Sequence, residues 1–390
     1  MRLHRSLLGT LALGALLGAC GGSATPPVPS TAPASASAKP AAPAIVAASA
    51  KPAASVSAKP AASAGAASAN GVKLTGAGST FDFPLFTKVF DAWGKKTGGQ
   101  VNYQSVGSGA GIEQLTKKTV DFGASDAIMT ADQEKAVGAP VVHLPVTLGA
   151  VAVGYNLPGV KDIKLDPDTL AGIYLGTIKS WDDPKIVALN PSLKLPKTAI
   201  APVERSDGSG TTYIFTNYLS AVSPAWKSKV GADTSVKWPV GIGGKGSEGV
   251  AGQTSQTPGG IGYFELAYAK QNNIATVVMK NQAGKFVPPS VAGATAAAAG
   301  AAANMPADGK AIIVNAPGDT AYPISGFSWI LSYKDLPDAT KGKALLDLFK
   351  YTTTSGQQFA QDLSYAPLPS AVQTVDAKIV SSLTIAGKAQ

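Results

Sequence analysis

The sequence predicts an α/β protein with an open sheet and enough folded chain, roughly 320 residues, for two lobes. Three stretches carry this prediction. Each consists of a strand-like run, a turn of glycine and hydroxyl residues, and the start of a helix, and they are centred on Thr80, Ser108 and Ser209. In an open α/β sheet such turns collect at the carboxyl ends of the strands, where ligands bind. We therefore expect the three turns to share one site.

The first twenty residues have the pattern of a secretory signal. Positive charge at Arg2 and Arg5 precedes an apolar run over 7–17, which is too short to span a bilayer comfortably. The run ends in Leu-Gly-Ala-Cys, with the only cysteine of the chain at position 20, and this ending is typical of bacterial lipoproteins. We expect export, lipidation of Cys20 and a lipid anchor at the cell envelope, in the periplasmic space. One cysteine permits no disulfide within the chain.

Residues 21–70 are rich in Ala, Pro, Ser and Lys, and a Ser-Ala-Lys-Pro-Ala-Ala phrase begins at Ser37, Ser49 and Ser57. This composition cannot bury a core and predicts a disordered tether. Five of the 33 basic residues and none of the 24 acidic residues precede position 71, so the formal charge of +9 falls to about +4 in the folded part. Such a mild excess does not indicate a nucleic-acid-binding protein.

The first half of the folded part contains two of the three units and the strand that follows them. A strand starts at Lys73, a glycine turn over 76–81 follows, and a helix with Pro84 in its first turn ends at Gly98. Residues 101–106 alternate as a strand, and the next helix continues to Lys118. A short strand over 120–125 then delivers Asp126 to a loop. The apolar stretch 140–156 predicts buried strands that cross from one lobe to the other, and helices are predicted over 168–179 and 184–189.

The third unit has the strongest signature of an anion site. A β-like run over 199–203 is followed by Arg205, a Ser-Asp-Gly-Ser-Gly-Thr-Thr turn and a helix-like run over 213–219. Glycines permit close approach, and the free N–H groups and dipole of a helix start favour an anion. Arg205 is the only arginine beyond the signal, and its planar fork of donors suits a phosphate or carboxylate. Asp207 has two interpretations that remain open here, a partner that holds the guanidinium or a helix N-cap.

The remainder of the chain supplies further elements. A glycine-led strand is predicted over 259–265, an alanine-rich helix or loop over 292–303, a strand over 322–333, and helices over 341–351 and 356–363. The tail through 365–369 is expected to pack on the first lobe. Residues 241–246 match the dinucleotide G-x-G-x-x-G pattern, but Pro239 breaks the preceding strand and no acidic partner is suitably placed, so we expect no cofactor.

The composition argues against an enzyme. Beyond the signal the chain has one histidine, His143, which lies in an apolar run, and its one cysteine is expected to be lipidated. These counts exclude Cys–His dyads, most Ser–His–Asp triads and metal sites built on several His or Cys. Ser209 is not in a G-x-S-x-G sequence. A phosphatase or esterase is therefore disfavoured, and His143 is expected to be a core residue.

Three stretches resemble the phosphate-binding protein of bacterial ABC phosphate importers, namely LTGAGSTF at 74–81, DFGASD at 121–126 and RSDGSGT at 205–211. Connecting stretches agree at 173–176, 179–183, 189–191, 237–239, 243–246 and 268–273, so that the resemblance covers about 74–372. Where the family often has alanine, this chain has Ser79, whose added hydroxyl is able to perturb the pocket.

The resemblance implies a type II periplasmic-binding-protein fold, in which two lobes joined by a two-segment hinge close on one phosphate. Lobe I would comprise residues 71–148 and 322–390, and lobe II residues 149–321. The resemblance implies that the protein delivers phosphate to the permease of an importer, and we expect a monomer without a bound metal. The implied phosphate contacts are Ser79, Thr80, Phe81, Ser108, Asp126, Arg205, Ser209, Gly210 and Thr211.

Asp126 would set the choice of anion. An ionised carboxylate accepts hydrogen bonds and donates none, so it faces an oxyanion favourably only where that anion carries a proton. Phosphate near neutral pH keeps a proton, whereas sulfate keeps none. The alternatives within the binding class are sulfate, molybdate or an organic phosphate, and Asp126 argues against the fully ionised tetrahedral anions.

Overall fold

The computed structural model describes residues 69–390. The predicted signal over 1–20, the lipidation site Cys20 and nearly all of the predicted tether over 21–70 lie outside these residues. At the start of the described chain Ala69 is already buried, and its carbonyl accepts a hydrogen bond from the N–H of Val72. Within this range no helix combines the length and the apolar character needed to cross a bilayer.

The elements alternate along the described chain. The strands are β1 Lys73–Gly78, β2 Gln100–Ser105, β3 Phe122–Ser125, β4 Val141–Tyr155, β5 Lys164–Leu165, β6 Ala201–Arg205, β7 Ile242–Gly244, β8 Gly260–Glu265, β9 Ala275–Thr276, β10 Val278–Lys280, β11 Phe286–Val287, β12 Ser325–Tyr333, β13 Asp335–Leu336, β14 Thr384–Ile385 and β15 Lys388–Ala389. The helices are α1 Phe83–Thr97, α2 Ser108–Thr116, α3 Ala131–Val137, α4 Pro167–Tyr174, α5 Pro184–Leu189, α6 Gly210–Val222, α7 Pro224–Lys229, α8 Gly246–Gln256, α9 Leu266–Gln271, α10 Val291–Ala303, α11 Ala339–Thr353 and α12 Ser370–Ser381.

One large sheet organises these elements in the order β2-β1-β3-β12-β4-β8-β6-β7, with β9 also paired to β4. We call β1, β2, β3, β12 and residues 141–150 of β4 the first half of the sheet, and β6 to β9 with residues 151–155 of β4 the second half. The outer strands of each half are parallel to one another, and β4 is antiparallel to both β12 and β8. The predicted α/β class is thus confirmed.

The apolar stretch 140–156 forms the single long strand β4, where the sequence predicted several crossing strands. Pro145 is accommodated by a register shift opposite Ser328 and Trp329, which leaves Val146 as the extra residue. A bulge of this kind is the usual way in which a strand tolerates proline. His143 in the same strand is buried and accepts the N–H of Met129 at Nε2 (3.1 Å), so the prediction of a core histidine is confirmed.

Strand β1 continues to Gly78, so the turn between β1 and α1 is shorter than the turn over 76–81 that the sequence predicted. The end of β1 requires glycine at two positions. A methyl group at Gly76 would lie 2.3 Å from the ring of Phe122, and one at Gly78 would lie 2.0 Å from the carbonyl oxygen of Ala124. Only four residues, 79–82, then connect β1 to α1, which has Pro84 in its first turn and Gly98 at φ 77° as its C-cap, as predicted.

Two helices differ from the prediction. Helix α4 ends at Tyr174 instead of continuing to residue 179, since Gly176 has φ 72° and turns the chain. The predicted helix over 356–363 is a pair of 3₁₀ turns, Ser355–Phe359 and Gln361–Leu363, separated at Ala360. The chain then returns along the first half, as expected, because Ala366 bridges to Leu148.

Candidate functional site

The three glycine and hydroxyl turns meet between the two halves of the sheet. Helices α1, α2 and α6 begin directly after these turns, so three helix N-termini lie around one buried place. The N–H of Gly210 donates to Ser108 Oγ (3.0 Å), and the N–H of Gly109 donates to the carbonyl of Gly208 (2.9 Å). Both contacts join the first half to the second. The structure therefore shows a closed arrangement.

Asp126 lies at the centre of this place and is almost fully buried. Its Oδ1 accepts hydrogen bonds from the hydroxyls of Ser79 (2.5 Å) and Ser328 (2.6 Å). Its own N–H donates to Ser108 Oγ (3.2 Å). Among residues 69–390 no group donates to the other carboxylate oxygen, Oδ2. That oxygen is an acceptor that the protein leaves for a partner.

Glycine is needed at position 210 because the two halves approach so closely. A methyl group added there would lie 2.5 Å from Oδ2 of Asp126 and 2.6 Å from its backbone nitrogen. Such contacts cannot be relieved without moving backbone. Gly210 thus permits the helix start of α6 to reach the carboxylate.

A second carboxyl group, Asp82, shares the hydroxyl of Ser328 with Asp126. Ser328 Oγ lies 2.5 Å from Asp82 Oδ2 and 2.6 Å from Asp126 Oδ1. One hydroxyl proton cannot serve two ionised carboxylates, so one of the two acids carries a proton and donates it to Ser328. Burial raises the pKa of Asp82 well above its ordinary value, and repulsion from Asp126 raises it further. Asp82 is accordingly the protonated acid.

Asp126 is the ionised member of this pair near neutral pH. Burial raises its pKa from 3.8 to about 6, while the hydroxyls of Ser328 and Ser79 and the charge of Arg205 oppose the rise. The carboxylate is therefore charged at pH 7 and above, although it is buried.

Arg205 ends β6 with its side chain buried and fixed by Asp207. The guanidinium donates through Nε to Asp207 Oδ1 (2.7 Å) and through Nη2 to Asp207 Oδ2 (2.6 Å). The N–H of Gly246 also donates to Asp207 (3.1 Å). Burial raises the pKa of Asp207, but these bonds and the arginine charge hold it below its ordinary value. The N-cap of α6 is Ser209, whose side chain accepts the N–H of Thr212. Asp207 is therefore a partner that holds the guanidinium and is not the helix N-cap.

Several donors around Asp126 have no acceptor in the described chain. They are the backbone N–H groups at the starts of α2 and α6 and in the turn before α1, namely those of Ser108, Thr211, Thr80 and Phe81. The Nη1 group of Arg205 has one long contact, to Thr211 Oγ1 (3.5 Å). The site thus combines several unused donors with the unused Oδ2 of the ionised Asp126, which is the donor and acceptor pattern of a protonated oxyanion.

All nine predicted contact residues lie in this place, but they are used differently. Both donors of Ser79 are used inside the protein, because its N–H donates to Ala124 O (2.9 Å) and its hydroxyl to Asp126. The side chain of Phe81 is buried against Tyr365, which leaves only its N–H for a ligand. The Oγ1 of Thr80 lies 2.9 Å from Ser247 Oγ. Ser209 is N-cap of α6, and the N–H of Gly210 is bound to Ser108.

Sequence reasoning missed several residues of the site. Ser328 and Asp82 support Asp126, Ser247 contacts Thr80 across the two halves, and two tyrosines, Tyr103 and Tyr268, bind the turn before α1. None of them belongs to a recognisable local pattern, since the partners are far apart in the chain. The stretch 268–273 was noted for its resemblance, without a role for its tyrosine.

Comparison with known proteins identifies close sequence relatives. A profile described as the PBP superfamily domain matches residues 49–352. The "Phosphate-binding protein PstS" of Xylella fastidiosa (strain 9a5c) is 45% identical over 300 residues, which cover 76% of this chain and 82% of the relative. The protein of the same name from Haemophilus influenzae is 46% identical over 303 residues, or 77% of this chain and 90% of the relative.

Solved structures share the fold at lower sequence identity. A high affinity periplasmic phosphate-binding protein bound with phosphate has a TM-score of 0.62 at 22% identity, with 78% of this chain and 93% of that chain covered. A phosphate-binding protein from Stenotrophomonas maltophilia has a TM-score of 0.61 at 18% identity and the same coverage. These likenesses confirm the predicted two-lobed periplasmic-binding-protein fold.

Proposed function

Since this chain belongs to the PBP superfamily and to the family of the phosphate-binding proteins PstS, we propose that it binds inorganic phosphate and delivers it to the permease of an ABC importer. The proposed lobes are residues 71–148 with 322–390 and residues 149–321, joined by a two-segment hinge. The relatives are named as binding proteins, and the proposed role involves no chemical step and no cofactor.

The observation that carries this proposal is the unused Oδ2 of Asp126 among unused donors. A carboxylate oxygen in that position requires a hydrogen-bond donor from the ligand. Dibasic and monobasic phosphate both supply an O–H, and their remaining oxygens accept from N–H, hydroxyl and guanidinium groups. The site therefore selects its ligand by the presence of a proton on one oxygen as well as by the tetrahedral shape of the anion.

Sulfate fits this arrangement poorly. It has the same tetrahedral shape, but it carries no proton near neutral pH and would place an oxygen lone pair against Oδ2 of Asp126. A site that leaves a buried polar group opposed in this way discriminates by as much as about 10⁴–10⁵. Molybdate is rejected for the same reason. An organic phosphate would need an opening for its substituent, whereas the contact between Ser108 and Gly210 (3.0 Å) joins the two halves beside Asp126.

The proposed contact residues divide into those that touch the anion and those that support them. Thr80, Phe81, Ser108, Arg205, Ser209 and Thr211 donate to phosphate, and Asp126 accepts its proton. Ser79 fixes Asp126, because its hydroxyl is already donated to Oδ1, and Asp207 fixes the guanidinium of Arg205. Gly210 provides the close approach. Charge-assisted hydrogen bonds of about 1.5–3 kcal/mol each supply the affinity.

The binding protein acts outside the cytoplasm in this proposal. The charged start, apolar run and terminal Leu-Gly-Ala-Cys of the first twenty residues support export and a lipid on Cys20. An anchored protein remains near its permease, and the Ala, Pro, Ser and Lys tract lets the folded part reach it. We further propose that the protein acts as a monomer.

Isothermal titration with phosphate tests the function. The purified protein is first freed of bound anion, for example by partial unfolding and dialysis, and is then titrated at pH 8. We expect one phosphate per chain with micromolar or tighter affinity. Arg205→Lys is expected to bind at least tenfold more weakly, because an ammonium cannot keep the fork of bonds to Asp207 and the anion. Absence of heat with phosphate from the wild type contradicts the proposal.

A further inference from the structure

Three tyrosine hydroxyls bind three consecutive carbonyl groups in the turn before α1. Tyr103 donates to the carbonyl of Ser79 (2.8 Å), Tyr268 to that of Thr80 (2.8 Å) and Tyr365 to that of Phe81 (2.5 Å). The tyrosines come from β2, from α9 and from the segment before α12. A four-residue turn is thus held on its carbonyl side by three separate parts of the fold.

Peptide geometry links these bonds to the anion site. In a planar trans peptide the N–H points opposite to the C=O of the preceding residue. The carbonyl held by Tyr103 belongs to the peptide whose N–H is that of Thr80. The carbonyl held by Tyr268 belongs to the peptide whose N–H is that of Phe81. These two N–H groups have no acceptor in residues 69–390, and both are proposed to bind phosphate.

We propose that Tyr103 and Tyr268 are positioning residues for anion binding, whose hydroxyls hold the 79–80 and 80–81 peptides so that the N–H groups of Thr80 and Phe81 face the ligand. This inference rests on the proposed function, because it assigns a role at the same site. Hydrogen bonding to a carbonyl also polarises its peptide and strengthens the N–H as a donor. Without these bonds the turn would lose both its orientation and part of its donor strength.

Tyr268 has a second effect because it comes from the other half of the molecule. Helix α9 follows β8 in the second half of the sheet, whereas Thr80 follows β1 in the first half. Ser247 of α8 also lies in the second half and contacts Thr80 in the first half, since its N–H donates to Thr80 Oγ1 (3.2 Å). The Phe81 donor is therefore fixed only when the two halves are together. Closure of the two halves therefore also completes the set of N–H donors at the anion site.

The hydroxyls remain donors over the whole range of physiological pH. Burial raises the pKa of Tyr103 and of Tyr268 above the usual value for tyrosine, and nearby carboxyl groups add to the rise.

Tyr365 holds a peptide whose N–H is used inside the protein and does not face the ligand. The peptide that it holds carries the N–H of Asp82, which donates to Ser79 Oγ (3.3 Å).

Tyrosine-to-phenylalanine variants test the inference, because they remove the hydroxyl and keep the ring. Tyr268→Phe is expected to weaken phosphate binding about three- to tenfold, the loss of one hydrogen bond. The change should lie in a faster dissociation rate with an unchanged association rate, since the bond forms on closure. Tyr103→Phe is expected to weaken binding at least twofold. The matched control is Tyr155→Phe, whose hydroxyl donates to the carbonyl of Val160 (3.1 Å), away from the turn and from the residues that join the proposed lobes.

Amide NMR separates positioning from a general loss of stability. In the phosphate-bound protein the amide signal of Phe81 should move in Tyr268→Phe, and that of Thr80 in Tyr103→Phe, while Tyr155→Phe moves neither. Wild-type affinity and wild-type amide shifts in both variants would overturn the inference, as would an equal loss of affinity in Tyr155→Phe. A wild type that does not bind phosphate contradicts the proposed function itself, so the two failures are distinguishable.

Discussion

The replacement Asp126→Asn should convert a site for a protonated anion into one for an unprotonated anion. In the wild type, Oδ1 accepts from Ser79 and Ser328, and Oδ2 has no donor in the described chain. Asparagine keeps its oxygen toward the two serine hydroxyls, because only an oxygen accepts from them. Its NH₂ group then stands where Oδ2 stood. One acceptor aimed at the ligand becomes a donor, with no change in shape.

The expected change follows from one charge-assisted hydrogen bond. Phosphate loses a bond worth about 1.5–3 kcal/mol, which corresponds to affinity roughly 10- to 150-fold weaker. Sulfate gains a donor in place of a repulsive contact, so its affinity should rise at least tenfold. The phosphate-to-sulfate preference should therefore fall by about two orders of magnitude or more.

The assay is paired titration calorimetry with phosphate and sulfate at pH 8, where Asp126 of the wild type is ionised. Asp121→Asn is a matched control at the other end of β3, because Asp121 binds Thr75 and Lys341 and lies away from the site. That variant should keep the wild-type preference. An unchanged preference in Asp126→Asn would refute the role assigned to the carboxylate. Because burial raises the pKa of Asp126 to about 6, the wild-type preference should also decline as the pH falls through that value.

Three further replacements test other parts of the structure. Gly210→Ala should weaken phosphate binding by about 100-fold or more in calorimetry, since the new methyl group would lie 2.5 Å from Oδ2 of Asp126; near-normal affinity would contradict the closed geometry. Asp82→Asn should change phosphate affinity by less than about threefold, because the protonated acid and the amide both donate to Ser328 without charge; a tenfold gain for all anions would show that Asp82 is ionised. Asp376 is buried without a partner in the described chain, and burial raises its pKa from 3.8 to about 8. The unfolded chain releases this proton at lower pH than the folded protein, so wild-type stability should fall as the pH rises between those two values. Asp376→Asn should flatten this pH profile of urea unfolding and raise the stability at pH 8.

Local features of the fold were predictable because neighbouring residues determine them. Pro84 and Gly98 mark the two ends of α1 with correct bounds to within about a residue. The long apolar stretch over 140–156 was correctly predicted to be buried, but the prediction that it forms several strands was wrong. Pairing with β12 absorbs Pro145 in a bulge within one continuous strand, and nothing in the local sequence contains that information.

The candidate site could be predicted in part for the same reason. Arg205, Ser209 and Gly210 belong to one short motif and were found together. Asp207 remained ambiguous because a cap and an arginine partner use the same type of side chain at the same place, and only the structure shows that the helix begins after Ser209, which is its N-cap. The supports from Ser328 and Tyr268 depend on contacts between residues far apart in sequence, so no pattern along the chain could indicate them.

Competition between phosphate and sulfate for one site tests whether Asp126 selects a protonated anion. Equilibrium dialysis of the anion-free protein with radiolabelled phosphate at pH 8 measures how much phosphate remains bound as unlabelled sulfate is added. We expect one bound phosphate per chain that a thousandfold excess of sulfate scarcely displaces, since Asp126 accepts a hydrogen bond from a proton that sulfate lacks. Displacement by sulfate at concentrations similar to phosphate, or no bound phosphate at all, would contradict it.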